Sequence, residues 1–168
     1  LGCIGVSEKK VFYVNNQPII SINSDLDSIC ENSIVKLWGS GASRYIWSTG
    51  DTSNVIFYNS GKGDIKKEFK LTGYSKEGCR SSVSKTIYVK KVPMFSLYSK
   101  YKNGNDAYNV CKGDTILLSY VMNNDIKPES YIWSDGSVSS VVKEISHISN
   151  NYSLTIKGEN GCSNSSEL

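Results

Sequence analysis

Apolar residues in this chain recur at every second position, in short runs bounded by turn residues. The runs are Ile19–Ile22, Ser33–Trp38, Arg44–Trp47, Asn54–Tyr58, Glu68–Tyr74 and Val83–Lys90. Met94–Tyr101, Thr115–Val121, Ser130–Trp133, Ser137–Ile145 and Asn151–Lys157 follow. β-Branched and aromatic residues are frequent in them, which suits a pleated, half-buried surface. Glycine-rich turns separate them at Gly39-Ser40-Gly41, Ser60–Asp64, Asn103–Asp106 and Asn160-Gly161. Short strands at this spacing predict an all-β protein built from sandwiches of immunoglobulin-like architecture. No segment sustains the i, i+3, i+4 apolar pattern, so little or no helix is expected.

The pattern occurs twice. Tyr-Ile-Trp-Ser spans Tyr45–Ser48 and again Tyr131–Ser134, and each copy leads into a turn that closes on glycine, Gly50 and Gly136. Upstream of each, a cysteine opens a strand-like run at Cys30 and Cys111; downstream, an alternating run ends in Gly-Cys at Cys79 and Cys162. The offsets are 81 residues for the first cysteine, 86 for the tryptophan and 83 for the second cysteine. An order that recurs with such small differences marks tandem modules with loop insertions. Gly2-Cys3 leading to Val11–Val14 superimposes on Gly78-Cys79 leading to Ile87–Val89 when 76 is subtracted, with Lys9 on Lys85 and Val11 on Ile87. Residues 1–14 therefore read as the last strand of a preceding repeat, 15–91 as a first repeat, and 92–168 as a second repeat lacking its last strand. The expected whole is a fragment of a longer array. Trp47 and Trp133 are expected in the two cores, with Val35, Leu37, Phe69 and Leu71 matched by Ile116, Leu118, Tyr152 and Leu154.

The same frame suggests disulfides within each repeat, Cys30 with Cys79 and Cys111 with Cys162, leaving Cys3 unpaired. The alternative is buried thiols in a reducing compartment. Bridges would imply an oxidising one and would stabilise modules too small to bury much surface. With no Cys-x-x-Cys and one histidine, zinc ligation has no basis.

Composition changes this picture little. The formal net charge is +3, with lysines spread along the chain. The pairs Lys9-Lys10, Lys66-Lys67 and Lys90-Lys91 suit soluble strand edges. No basic stripe or recognition helix points to nucleic acid. No cofactor motif, nucleophile elbow or metalloprotease helix is present, and His147 stands alone. Asp25, Asp27 and the Asn103–Asp106 turn have oxygen ligands suited to calcium, but also the ordinary chemistry of turns. Tyr98, Tyr101 and Tyr108 are candidates for an exposed aromatic patch that stacks on sugar rings.

Three segments together carry a resemblance: Cys-x-Gly-Asp-Thr at Cys111–Leu117, Tyr-x-Trp-Ser-x-Gly at Tyr131–Gly136, and Tyr-x-Leu ending in Asn-Gly-Cys at Tyr152–Cys162. They resemble the immunoglobulin-like, PKD-like repeats of large Bacteroidota cell-surface proteins, including type IX-secreted adhesins of gliding motility. The first repeat departs from the pattern, with Glu31-Asn32-Ser33 at the Gly-Asp-Thr corner. The resemblance implies display on the outer cell surface, with the type IX machinery as partner during export. It also implies O-glycosylation at Asp-Ser/Thr-apolar sites, here Ser28 and Thr115. The expectation is a non-enzymatic stalk segment of an adhesin, whose partners are neighbouring repeats and surface polysaccharide. The alternative is a carbohydrate-binding module or an accessory domain of a secreted polysaccharide hydrolase.

Overall fold

The computed structural model describes residues 5, 8–63, 65–107, 109–146 and 150–168. Among these, all regular secondary structure is strand. The strands are β1 (Ser21–Ser24), β2 (Ser28–Cys30), β3 (Ile34–Ser40), β4 (Arg44–Trp47), β5 (Val55–Asn59), β6 (Lys66–Tyr74) and β7 (Arg80–Lys90). They continue as β8 (Phe95–Tyr101), β9 (Thr115–Met122), β10 (Pro128–Trp133), β11 (Val142–Ile145), β12 (Ser153–Gly158) and β13 (Ser163–Glu167). The alternating pattern located eleven of these. The two it missed, β2 and β13, are short or polar and carry no alternation strong enough to read.

The chain divides into two compact units. One comprises Leu1–Asp27, Ile34–Tyr58 and Lys67–Ile87; the other comprises Ser28–Ser33, Asn59–Lys66 and Tyr88–Leu168. In the second unit, one sheet has the order β11-β9-β8 and the other β10-β12-β13. Phe95, Ile116, Leu118 and Val142 from the first sheet pack with Trp133, Leu154 and Ile156 from the other. Inward residues alternate along each strand, so a single face of each sheet supplies this core. That is the division of strands found in immunoglobulin-like sandwiches.

In the first unit, β1, β3 and β5 form one sheet, while β4, β6 and β7 lie in a four-stranded sheet of order β2-β7-β6-β4. Ile22, Val35, Leu37 and Ile56 are buried from one sheet; Trp47, Phe69, Leu71 and Ile87 are buried from the other. The Tyr58 and Phe69 rings meet edge to face at 5.1 Å, a favoured aromatic geometry. Gly41 sits at φ +90°, and a Cβ there would lie 1.9 Å from the Ile19 carbonyl oxygen. Only glycine fits that corner.

The two tryptophan corners repeat atom for atom. Trp47 Nε1 donates to the Ser53 carbonyl at 2.8 Å and Trp133 Nε1 to the Ser139 carbonyl at 2.9 Å. The backbone N–H of Trp47 donates to Asp51 and that of Trp133 to Ser137, and the following glycines close the turns onto the tryptophan carbonyls. Ser48 Oγ accepts from Lys70 N–H and Ser134 Oγ from Ser153 N–H, both at 3.2 Å. Thr72 and Ser82 share a hydroxyl bond of 2.9 Å, as Thr155 and Ser165 do at 2.8 Å.

One expectation is corrected here. The second repeat does begin its last strand: β13 pairs with β12 from Ser163 to Lys157 through Glu167 to Ser153. It was illegible because Ser163–Glu167 contains no apolar residue, so backbone pairing and the Thr155–Ser165 bond hold it rather than core burial. By the offset of 83 it matches only the first part of β7. Ile87 and Val89, buried in β7, have no counterpart among Ser163–Leu168.

Candidate functional site

A network of specific contacts surrounds β2. This strand runs parallel to the end of β7, with Ser28 opposite Tyr88, Ile29 opposite Val89 and Cys30 opposite Lys90. Ile29 is buried, and Glu31 N–H continues the ladder to the Lys90 carbonyl. Asn32 then turns the chain at φ 59°, a left-handed conformation that asparagine tolerates better than most residues. Its N–H donates to the Ser60 carbonyl, and Ser60 N–H donates back to the Ser33 carbonyl. The fully buried Ser60 hydroxyl lies 2.8 Å from the Cys30 carbonyl and accepts from Ser33 N–H at 3.1 Å. Glu31 is buried, yet both oxygens are used: Oε1 accepts from Gly63 N–H at 2.7 Å and Oε2 from Val92 N–H at 3.2 Å. A buried carboxylate is tolerated only when satisfied in this way.

Cys30 is bonded to Cys162, with a Cα–Cα distance of 5.7 Å. The Cys162 turn is seated by Asn160: its Nδ2 donates to the Lys91 carbonyl at 2.8 Å and its Oδ1 accepts from Cys162 N–H at 3.1 Å. Lys90 Nζ donates to the Asn160 carbonyl at 3.1 Å. The bridge thus joins the strand-opening cysteine of the first sequence repeat to the Gly-Cys turn of the second.

This overturns the expected pairing of Cys30 with Cys79 and of Cys111 with Cys162. Cys79 and Cys111 carry free thiols, half-buried and exposed respectively. The physical reason is strand direction. Cys30 lies beside Lys90, at the end of β7, whereas Cys79 precedes its start. Eleven residues of extended chain span roughly 35 Å, and a disulfide needs Cα atoms within about 7 Å. Cys3 lies outside the described residues.

Trp47 and Trp133 are buried as expected. The tyrosines do not form one platform. Tyr98 and Tyr101 are three positions apart on β8 and so face opposite sides. Tyr101 packs against the core of the second unit and donates its hydroxyl to the Asn109 carbonyl at 2.8 Å. Tyr98 lies under the Lys100 ammonium, 5.5 Å from the ring centroid. Tyr108 is outside the described residues, as is His147. Ser28 lies in β2 and Thr115 opens β9, each followed by a buried isoleucine, Ile29 or Ile116. The preceding aspartates have structural partners. Asp27 is bridged by Lys85 at 2.8 Å and accepts from Ser24, which together hold its carboxyl below the usual carboxylate range. Asp114 accepts from Cys111 N–H at 2.9 Å. Asp25 accepts from Lys36 N–H at 3.1 Å.

Among the described residues, no three His, Cys, Asp or Glu side chains gather to hold a metal ion. A shallow cleft of about 420 Å³ opens between Pro18, Gly41 and Glu77. It contains no nucleophile paired with a base. Glu31, Ser60 and Asn160, all in the second unit, are the residues around the bridge that sequence reasoning missed. Glu31 and Asn32 carried a signal only as a departure from the Gly-Asp-Thr corner.

No family model and no curated protein matches the chain. Among solved structures, it is similar to the fibronectin(III)-like modules of Clostridium thermocellum CbhA, at 10% identity over 89% of this chain and 91% of that one, with a TM-score of 0.42. It also overlaps the β-glucuronidase of Parabacteroides merdae at 12% identity and a TM-score of 0.35, over 92% of this chain and 24% of the enzyme. Likenesses this loose carry no functional argument. The all-β, immunoglobulin-like description rests on the strands and cores themselves.

Proposed function

We propose that the chain is a non-catalytic spacer: a stalk segment of a large secreted adhesin, displayed outside the cell. The observation that carries this reading is the Cys30–Cys162 bridge. A disulfide is kept in oxidising compartments, and this one ties cysteines from consecutive repeats rather than closing each repeat on itself. A β-module stapled in this way suits a segment whose task is to hold something at a distance. The resemblance to repeats of Bacteroidota surface proteins supports the same reading, with export by the type IX route, a role in adhesion or gliding, and neighbouring repeats as permanent partners. Ser28 and Thr115 are the proposed O-glycosylation positions.

The test is made on intact cells. An antibody raised against the chain should label them, brief external protease should remove the signal, and deleting the coding region should reduce attachment or spreading. Signal confined to lysed cells would reject surface display. A glycan array probed with the purified chain separates the alternative: strong binding lost in Tyr98→Ala would replace the spacer reading with a carbohydrate-binding one.

A further inference from the structure

We propose that Tyr120 and Tyr131 form a site of oxidative cross-linking, at which a peroxidase with hydrogen peroxide joins the two rings as dityrosine and ties together the two sheets of the second unit. The argument comes from the geometry of the pair and from the corresponding corner of the first unit.

The two rings come from different sheets. Tyr120 lies in β9, opposite Leu97 of β8, and Tyr131 lies in β10, opposite Ile156 of β12. Both are half-buried and pack against the core of the second unit. The Tyr120 hydroxyl donates to that of Tyr131 at 2.8 Å. The ring centroids are 5.4 Å apart and the planes are tilted by 40°. Two phenols meeting tip to tip through their hydroxyls would hold their centroids much farther apart. At this separation the rings lie flank to flank, so the ortho carbons beside the two hydroxyls are neighbours. Phe95 also packs on Tyr120, edge to face at 6.2 Å and 78°, a favoured aromatic geometry that helps to fix the ring.

The first unit shows that the fold does not require the pair. Tyr45 stands where Tyr131 does by the offset of 86, but the offset of 81 places Gly39 where Tyr120 is. The Tyr45 ring lies over Gly39: a Cβ there would be 3.1 Å from two of its ring carbons. The Tyr45 hydroxyl accepts from Ala42 N–H at 3.0 Å. One tyrosine thus completes this corner, with its oxygen bonded to backbone. In the second unit a phenol replaces the glycine, and the hydroxyl partner is the other tyrosine. What the second phenol adds is an oxygen set against another phenol oxygen.

That contact suits electron removal. Each phenol gives up one electron and its hydroxyl proton, becoming a phenoxyl radical whose unpaired electron is shared with the ortho carbons. The two radicals pair as one C–C bond between those carbons. The hydrogen on each joined carbon then moves to its own oxygen, which restores both phenols. Hydrogen peroxide takes up the two electrons and two protons and leaves as two waters, with the peroxidase regenerated. Because the fold already holds the carbons side by side, coupling is a step within one chain and outruns collision between chains. Collision would instead use open rings such as Tyr13, 85% exposed, and Tyr88, 57% exposed. Tyr120 and Tyr131 are 11 positions apart, so the bond closes a short loop from one sheet to the other and constrains the unfolded chain.

The inference goes beyond the spacer reading and does not rest on it. A dilute chain, its free thiols first alkylated, is treated with a peroxidase and hydrogen peroxide. The expected product is a single chain with the blue fluorescence of dityrosine. Cleavage after Glu129 separates the two tyrosines along the sequence, so their peptides should stay joined, at a mass short by the two hydrogens lost. Tyr120→Phe and Tyr131→Phe should each abolish the joined pair while keeping the ring packing, and Tyr45→Phe should leave it in place. Absence of the pair, or links through Tyr13 or Tyr88 in equal abundance, would overturn the site and leave surface display untouched. Treatment should also raise the melting temperature of the second unit by about 5 °C or more, and should not do so in Tyr120→Phe. No rise in the unmutated chain would overturn the tie between the sheets.

Discussion

The corners around Trp47 and Trp133 are near copies, whereas the corners around Cys30 and Cys111 share a backbone but not a bond. At the tryptophans, indole, turn glycine and serine hydroxyl make the same contacts in both units. At the cysteines, Asn32 and Gly113 turn the chain through the same hydrogen bonds, yet Cys30 is oxidised and Cys111 is free. The core of a module is made from its own residues. The covalent staple is made from two consecutive repeats, so it exists only where both contributors are at hand.

The sharpest way to break this comparison is at the tryptophans. Trp47→Ala and Trp133→Ala should each destabilise their own unit by about 3–5 kcal/mol, the usual range for emptying a core of a large aromatic. Urea unfolding followed by residue-resolved hydrogen exchange would measure both, and losses differing by more than about 2 kcal/mol would end the equivalence.

Second in size is the staple. Cys30→Ser with Cys162→Ser should lower the stability of the second unit by about 2–4 kcal/mol, while Cys79→Ser and Cys111→Ser should leave the melting temperature of the monomer nearly unchanged. A large loss from either free cysteine would contradict the pairing.

The third concerns the turn. Gly113→Ala should cost about 1–2 kcal/mol, because an L side chain resists the left-handed conformation. Asn32→Gly should change stability by less than about 0.5 kcal/mol, because relief of backbone strain offsets the added freedom of the unfolded chain.

The smallest effect is electrostatic. Lys85 and Ser24 lower the pKa of Asp27, and the Ser137 hydroxyl and N–H do the same for Asp135. Both carboxyls thus favour the folded state when ionised. That contribution is complete above the ordinary carboxylate range and is lost as the pH falls below about 4, through the depressed folded-state values. Asp27→Asn and Asp135→Asn should each flatten the acid limb of the stability–pH profile slightly. A steeper limb in either variant would reverse the assigned sign.

Strand positions and core were legible because alternation is a local signal. Arg44–Trp47 was bounded to the residue, and the matched core positions Val35, Leu37, Leu71 and Leu154 are all buried. The disulfide was not legible, for a reason built into repeats. Pairing within a repeat and pairing between repeats satisfy the same cysteine spacings. They are told apart by the parallel placement of β2 on the end of β7, and three residues reading Ser-Ile-Cys announce neither strand nor direction. Glu31 was likewise hidden. It interrupts a familiar corner, and only its bonds to Gly63 and Val92 show what the interruption does.

Ser60 has a consequence for damage and recovery. Its hydroxyl holds the Cys30 carbonyl on one side, while Asn160 holds the Cys162 amide on the other. Neither grip involves sulfur. Reduction of the S–S bond by an exchanging thiol would leave two cysteines whose backbones are still held next to each other. Reoxidation by a small disulfide such as oxidised glutathione, which leaves as two reduced glutathiones, would then be quicker than for cysteines on free tails.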